Sequence, residues 1–104
     1  MKTSVFAFLL LFVSACDKKP ETTGPSADKG KQVYFASCIA CHSADPTKDG
    51  TVGPAIKGSS KALIEARVLK AEYPPGYKPK RDTKLMVALP QLAASIDDLA
   101  LFLQ

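Results

Sequence analysis

The chain has 104 residues, one histidine and a formal net charge of +4. This length allows one small domain, and domains of this size bury so little surface that many need a disulfide, a metal or a cofactor to be stable. No nucleic-acid-binding motif accompanies the positive charge, which argues against a nucleic-acid partner.

The first residues have the pattern of an export signal. Lys2 supplies a short positive start, and residues 5–13 form an apolar run that is too short to span a bilayer as a permanent helix. Residues 13–16 read Val-Ser-Ala-Cys and resemble the lipobox of bacterial lipoproteins. The resemblance implies a signal peptide over residues 1–15 and a lipidated Cys16 as the mature N-terminus. The alternative is an ordinary signal peptide that is cleaved elsewhere.

Lipidation of Cys16 implies a membrane anchor. Asp17, directly after it, resembles the inner-membrane retention signal of some Gram-negative lipoproteins. We therefore expect an exported protein, held on the outer face of the bacterial cytoplasmic membrane, on the periplasmic side. Residues 17–27 lack apolar periodicity and contain two prolines and a glycine, which is the composition of a linker. We expect a lipidated N-terminus and flexible linker over residues 16–27, followed by one domain over residues 28–104.

A helix is predicted at the start of this domain. Ser26 can cap a helix that runs to residue 37, with Gly30, Val33 and Tyr34 on adjoining parts of one face. Glycine inside a helix costs about 1 kcal/mol relative to alanine. Close approach by another helix is one reason for a glycine at this position.

The helix leads into Cys38-Ile39-Ala40-Cys41-His42, and the spacing C-x-x-C-H is the attachment signature of a c-type haem. Two thiols three positions apart can each form a thioether bond to a haem vinyl group, and the histidine that follows can bind the iron as an axial ligand. His42 is the only histidine in the chain. Two other interpretations are a redox dithiol, which needs a βαβ framework, and a zinc site, which lacks a fourth ligand here.

The middle of the chain predicts a second helix and then an irregular segment. Ser59 or Ser60 can cap a helix over residues 61–70. Residues 72–82 contain three prolines and a glycine, which exclude a helix. We expect this segment to wrap the edge of the haem. Four of its side chains can reach the haem propionates, although each is equally compatible with a solvated loop position: Tyr73, Tyr77, Lys80 and Arg81.

Positive charge is concentrated in the same part of the chain. Seven basic and three acidic residues lie between Lys61 and Lys84. A positive surface beside a redox centre speeds the encounter with an acidic partner, which predicts redox protein partners with an acidic docking surface. The alternative is a solubilising face or one that faces anionic lipid.

The last helix is predicted from residues 95–98, which read Ser-Ile-Asp-Asp and have the pattern of a capping box. Leu99, Phe102 and Leu103 follow on one face. We expect this face to pack against the first helix.

These features resemble the class I cytochromes c in their small, monohaem, bacterial form. In that family a glycine and an aromatic residue precede the first haem cysteine at a helix crossing, and Gly30 and Tyr34 stand eight and four residues before Cys38. The resemblance covers residues 28–104. It implies an all-α fold whose N- and C-terminal helices cross around one covalently bound haem c. It also implies that the carbonyl of Pro54 accepts a hydrogen bond from the haem-binding histidine, which fixes the ring.

The resemblance further implies a methionine as the sixth iron ligand, and Met86 is the only methionine after the signal peptide. Paired histidine and methionine ligands raise the reduction potential and favour electron transfer over oxygen chemistry. Many members of the family place a proline directly after the methionine, whereas Pro90 comes four residues later here.

The function implied is that of a membrane-tethered monohaem cytochrome, which passes single electrons between redox partners of the respiratory type and is not an enzyme by itself. Two alternatives remain open at this point. One is a haem sensor or peroxidase-type protein with an open sixth position, and the other is a fixed electron-transfer subunit of a larger oxidoreductase.

Overall fold

A computed structural model describes residues 23–104, so Cys16 and the predicted signal peptide lie outside the described residues. The described part has three α-helices: α1 (Ala27–Ser37), α2 (Lys61–Lys70) and α3 (Ile96–Phe102). A 3-10 helix over Pro90–Ser95 leads directly into α3, and no strand occurs within residues 23–104. The all-α prediction is confirmed. None of these helices has the length and apolar character that crossing a membrane requires.

The first helix begins where its cap predicts. The backbone N–H of Lys29 donates to Ser26 Oγ at 3.4 Å, and Asp28 in the first turn suits the positive end of the helix dipole. The helix ends at Ser37, and Cys38 caps it by donating its backbone N–H to the Tyr34 carbonyl at 2.9 Å. The helix therefore delivers the chain directly into the C-x-x-C-H motif.

The second helix also confirms its prediction and settles which serine caps it. The backbone N–H of Leu63 donates to Ser60 Oγ at 3.1 Å. At the other end Ala71 adopts a left-handed conformation with φ 54°, and its backbone N–H donates to the Arg67 carbonyl at 3.1 Å. Residues 72–89, which we name the proline-rich segment, then contain neither helix nor strand, and the absence of a helix predicted over residues 72–82 is confirmed.

The capping box predicted for α3 is wrong. Ser95 has φ −103° and ψ 0° and makes no side-chain hydrogen bond to the helix, because the chain is already helical from Pro90 onward. The carboxylate of Asp98, which a capping box would turn back toward Ser95, instead accepts the backbone N–H of Ser26 at 2.7 Å. The acidic side chain therefore ties α3 to the start of α1.

The crossing of α1 and α3 forms one side of the core, and Gly30 allows it. A Cβ atom at Gly30 would lie 2.9 Å from Cβ of Phe102 and closer still to the backbone of Asp98. Beside this contact the Tyr34 ring lies 5.4 Å from the Phe102 ring, between centroids. The buried core consists of Tyr34, Ile64, Val68, Ile96, Leu99, Ala100 and Leu103. All three helices contribute to it, and α2 adds Ile64 and Val68 from its inner face.

Candidate functional site

One cavity brings together five of the six predicted site residues, and Cys16, the sixth, lies outside the described residues. The five are Cys38, Cys41, His42, Pro54 and Met86. Core side chains also reach its wall, among them Ile64, Val68, Leu99 and Leu103. The cavity therefore opens on the hydrophobic core, and most of its polar groups come from the loops, with Arg67 contributed by α2.

The two cysteines are presented by a single turn at the end of α1. The backbone N–H groups of Cys41 and His42 both donate to the Cys38 carbonyl, at 3.2 and 2.9 Å. Neither thiol is in a disulfide; Cys38 is half-buried and Cys41 is exposed. Burial raises the pKa of the Cys38 thiol above its ordinary value. The turn fixes the separation of the two sulfur atoms along the cavity.

His42 is held from one side by residues 52–55, which we name the support segment. Its Nδ1–H donates to the Pro54 carbonyl oxygen over 2.9 Å, the contact that the family resemblance implies. Because a carbonyl can only accept, Nδ1 carries the proton and the lone pair is left on Nε2. The imidazole is therefore in the tautomer that can bind a metal through Nε2.

Gly53 packs directly on the His42 ring. A Cβ atom at this position would lie 2.9 Å from Nε2 and nearer still to Nδ1 and Cε1. The backbone N–H groups of Val52 and Gly53 both donate to the Cys41 carbonyl, at 3.1 and 2.9 Å. Sequence reasoning used the position of Pro54 and overlooked this role of the glycine before it.

The support segment is also held by three charged side chains. Lys80 Nζ donates to the Ala55 carbonyl oxygen at 2.7 Å, and Arg81 Nη1 donates to the Val52 carbonyl oxygen at 2.8 Å. Asp49 accepts the Ala55 backbone N–H at 2.8 Å and lies 3.7 Å from Arg81 Nη2. The sequence left Lys80 and Arg81 open between propionate partners and solvated loop residues, whereas the structure gives each a protein acceptor. Because these acceptors lie 25 and 29 residues away, no local pattern identifies them.

Aromatic stacking organises the beginning of the proline-rich segment. The rings of Tyr73 and Tyr77 stack 5.5 Å apart between centroids at an interplanar angle of 11°, and the Arg67 guanidinium lies 4.1 Å from the centre of the Tyr73 ring. Arg67 also donates to the Ala71 carbonyl at 2.7 Å. All three of these side chains border the cavity, and their stacking against α2 fixes one part of its rim.

Met86 comes from the other end of the proline-rich segment. It is half-buried and packs against the core, whereas its neighbours Leu85 and Val87 are 68% and 69% exposed. Just beyond, the backbone N–H of Leu89 donates to the Val68 carbonyl at 2.6 Å. This hydrogen bond and the packing of Met86 hold this part of the segment against the core.

The residues present fit a covalently attached haem. The cavity offers two thiols on one turn, an imidazole with its Nε2 lone pair available, a thioether and an apolar wall. The glycine against the imidazole is a second sign of fit, because the ring and the backbone beside it meet with no room for a side chain. Such an arrangement suits a flat apolar group whose central metal takes nitrogen and sulfur ligands.

Comparison with protein families gives one match, over residues 27–104, to the family model described as Cytochrome c. The matched range contains all three helices and every predicted site residue except Cys16. The chain matched neither curated proteins nor solved structures.

Proposed function

The chain belongs to the cytochrome c family, and we propose that Cys38, Cys41, His42 and Met86 hold its haem so that it carries single electrons between redox proteins. Members of this family bind haem c covalently and transfer electrons, and they are usually carriers and not enzymes. The observation that carries the residue assignment is that all four side chains border one cavity, with the His42 ring already oriented by Pro54.

The proposed roles follow from the chemistry of the four side chains. The thiols of Cys38 and Cys41 would hold the haem covalently, and Nε2 of His42 and the sulfur of Met86 would hold its iron. When bound, the haem supplies an iron that accepts and releases one electron. His42 stays in place because its second nitrogen is engaged by the Pro54 carbonyl, which also makes the ring a better electron donor.

The apolar wall of the cavity favours electron transfer and disfavours reactions of the iron with oxygen or peroxide. Ile64, Val68 and Leu99 exclude water from the inner side of the cavity. Met86 packs against the core, and from there its sulfur would occupy a coordination position of the iron. An electron carrier needs both properties, because a filled coordination sphere leaves no site for oxygen or peroxide.

The attachment to a membrane and the class of partner are parts of the same proposal. Lipidation of Cys16 would anchor the domain through residues 17–27 on the periplasmic side of the cytoplasmic membrane. The partners are redox proteins with an acidic surface, and Lys78 and Lys84 are the exposed charges that meet it. Lys80 and Arg81 are less available for docking, since both donate to backbone carbonyls.

An optical spectrum of the oxidised and reduced protein, after expression with a haem-attachment system, tests the ligand assignment. We expect low-spin bands, a weak red absorption from methionine bound to ferric iron, and no binding of carbon monoxide. Met86→Ala abolishes the red band and admits carbon monoxide, whereas Leu85→Ala, an exposed neighbour, leaves both unchanged. Carbon monoxide binding by the wild type would contradict the proposal and favour a sensor or a peroxidase-type protein with an open sixth position.

Electron exchange with an acidic redox protein tests the docking charges. We expect Lys78→Gln together with Lys84→Gln to slow the exchange and to reduce its dependence on ionic strength, because steering between opposite charges is screened by salt. The reduction potential serves as the control, since a change there would alter the rate through the driving force. An unchanged rate and salt dependence would contradict the docking proposal.

A further inference from the structure

Lys80 and Arg81 use their charged groups inside the protein, on either side of the residues that orient His42. Their acceptors, the carbonyls of Ala55 and Val52, flank Gly53 and Pro54 in the chain. Arg81 is about two-thirds buried, with 32% of its side chain exposed, so its charge is directed inward. We name Lys80, Arg81 and Asp49 the clamp.

We propose that Lys80 and Arg81 are positioning residues that keep the Pro54 carbonyl on His42 Nδ1, and that they couple the chain around Met86 to the chain that orients His42. This inference rests on the proposed function, because it takes His42 and Met86 as the two iron ligands. It differs from a propionate-binding role, in which the same cations would act on the haem directly.

The support segment depends on such contacts because it has no regular secondary structure. Its inner side is fixed by the backbone, since Val52 N–H and Gly53 N–H donate to the Cys41 carbonyl and Gly50 N–H donates to the Gly53 carbonyl at 2.9 Å. On the outer side the carbonyls of Val52 and Ala55 have side-chain donors, and the Ala55 N–H has Asp49. Every remaining polar backbone group of the segment is thus held by the clamp or by His42.

Arg81 contributes more to the clamp than Lys80. Its planar guanidinium presents two nitrogens in one fork, Nη1 to the Val52 carbonyl and Nη2 toward Asp49. Asp49 in turn accepts the Ala55 backbone N–H, so one arginine stabilises both ends of the support segment. Lys80 is exposed, and within residues 23–104 its hydrogen bond is to the Ala55 carbonyl alone.

The clamp also explains how the two sides of the cavity are connected. Lys80 and Arg81 precede Met86 by six and five residues. A displacement of the chain at Arg81 therefore acts on the support segment and, through Pro54, on the ring of His42. The distance from ring to carbonyl sets how much electron density the imidazole supplies as a ligand.

If Lys80 and Arg81 act by positioning His42, their removal changes the reduction potential in one direction. If they act as charges near the iron, their removal changes it in the opposite direction. A positive charge near the iron favours the reduced state, so loss of a cation that acts as a charge lowers the potential. Loosening the bond from His42 to Pro54 makes the imidazole a poorer donor, which favours ferrous iron and raises the potential. The sign of the change therefore separates the two roles.

The test compares two double variants of the holoprotein that remove the same charge from the same segment. Lys80→Gln with Arg81→Gln removes the clamp, and Lys78→Gln with Lys84→Gln removes two exposed lysines for which residues 23–104 offer no hydrogen bond or ion pair. The readouts are the solvent exchange of the His42 Nδ1 proton, followed by NMR, and the reduction potential.

We expect the first variant to exchange the ring proton at least about ten-fold faster than wild type, since the bond opens more often, and to have a higher potential than the second variant. The second variant exchanges at the wild-type rate. Equal exchange rates, or a potential in the first variant at or below that of the second, would overturn the proposal.

Two further measurements keep the result interpretable. If the double variant does not fold, Lys80→Gln alone affects only an exposed side chain and is expected to show the same changes with smaller size. Arg81→Lys keeps the charge without the two-pronged guanidinium. We therefore expect its reduction potential to lie between that of wild type and that of the Lys80→Gln, Arg81→Gln variant. The optical spectrum of the wild type tests the proposed function separately. A wild-type spectrum without methionine ligation refutes the proposed function. A wild-type spectrum with methionine ligation, together with a double variant that exchanges the His42 ring proton at the wild-type rate, refutes the clamp alone.

Discussion

The helix crossing and the proline-rich segment are held in place by different kinds of contact. At the crossing, Gly30, Tyr34 and Phe102 pack backbone against backbone and ring against ring. Residues 72–89 instead depend on ring stacking and on side chains that donate to distant carbonyls. The crossing is therefore rigid because the two helices leave no room for an added atom. The proline-rich segment is fixed only while its side-chain hydrogen bonds are formed.

The two regions have different roles: the crossing contributes to the stability of the fold, and the proline-rich segment sets the geometry of the site. The crossing lies beside Cys38 and provides a fixed base for the C-x-x-C-H turn. The proline-rich segment brings Lys80, Arg81 and Met86 to the border of the same cavity. Substitutions at the crossing should act on the free energy of unfolding, and substitutions around the segment should act on ligand geometry and potential.

The largest effect is expected at the crossing, from Gly30→Val. The new side chain meets the Asp98 backbone and lies within 2.9 Å of Phe102 Cβ at its first atom, and neither group can rotate away. We expect a loss of about 3 kcal/mol in the free energy of unfolding, measured by chemical denaturation. Gly24→Val is the control, since within residues 23–104 no heavy atom other than those of its chain neighbours lies within 4 Å of a Cβ placed there. A loss as large at Gly24, or none at Gly30, would contradict the close packing.

Gly53→Ala tests close packing against a glycine at the candidate site, as Gly30→Val does at the crossing. The Cβ atom would displace the His42 ring, so we expect about 2 kcal/mol lower stability together with faster exchange of the ring proton. Gly30→Val, in contrast, should leave the exchange of the ring proton unchanged in the molecules that remain folded. If Gly53→Ala changed stability alone, Gly53 would be a packing residue without influence on the ligand.

Tyr34→Phe tests the link between the crossing and the haem-binding turn. The Tyr34 hydroxyl donates to the Ser43 carbonyl, and burial, followed by the charges of Cys38 and Asp45, raises its pKa. Removal of the hydroxyl leaves that carbonyl without its donor, so we expect a loss of about 1 to 2 kcal/mol in chemical denaturation. Tyr77→Phe keeps its ring stacking on Tyr73 and should change stability by less than about 0.5 kcal/mol.

The smallest effect is expected from the ion pair that joins α2 to α3. Lys61 Nζ lies 2.6 Å from Asp97 Oδ1, but the two side chains are 58% and 55% exposed. The hydrogen bond and the charge of Asp97 raise the pKa of Lys61 above its ordinary 10.5. The stabilisation is therefore fully present below pH 10.5 and disappears as the pH rises through the raised value.

Denaturation of Lys61→Gln beside wild type, from neutral to alkaline pH, measures this dependence. The difference between the two proteins should shrink as lysine deprotonates and should also vanish at about 1 M salt. Lys70→Gln, an exposed lysine on the same helix, is the control. A difference that grew at alkaline pH would show that the pair does not act through the lysine charge.

Local chemistry made α1 and α2 predictable. Ser26 and Ser60 are capping residues next to helical patterns, and the prolines within residues 72–82 exclude a helix there. The same reasoning failed at Ser95, where the residue types of a capping box are present but the chain is already helical from Pro90. A capping pattern describes what a helix start can use, and it cannot show whether the preceding residues are helical too.

By itself the sequence identified haem c as the cofactor and predicted the residues that hold it. Cys38, Cys41 and His42 are adjacent in the chain, and a motif this compact carries its chemistry without any fold. Family membership confirms the haem c that the motif predicts, while Met86 as a ligand stays a prediction for the spectrum to decide.

Tertiary structure decided which groups surround that motif and how tightly they hold it. Gly53 lies on the His42 ring, and Lys80 and Arg81 reach the support segment across 25 and 29 residues. Such contacts depend on where the proline-rich segment folds back, and a segment without helical or strand periodicity has no local pattern that specifies its path. The motif thus fixes what is bound, and the packing of distant segments sets the environment in which it works.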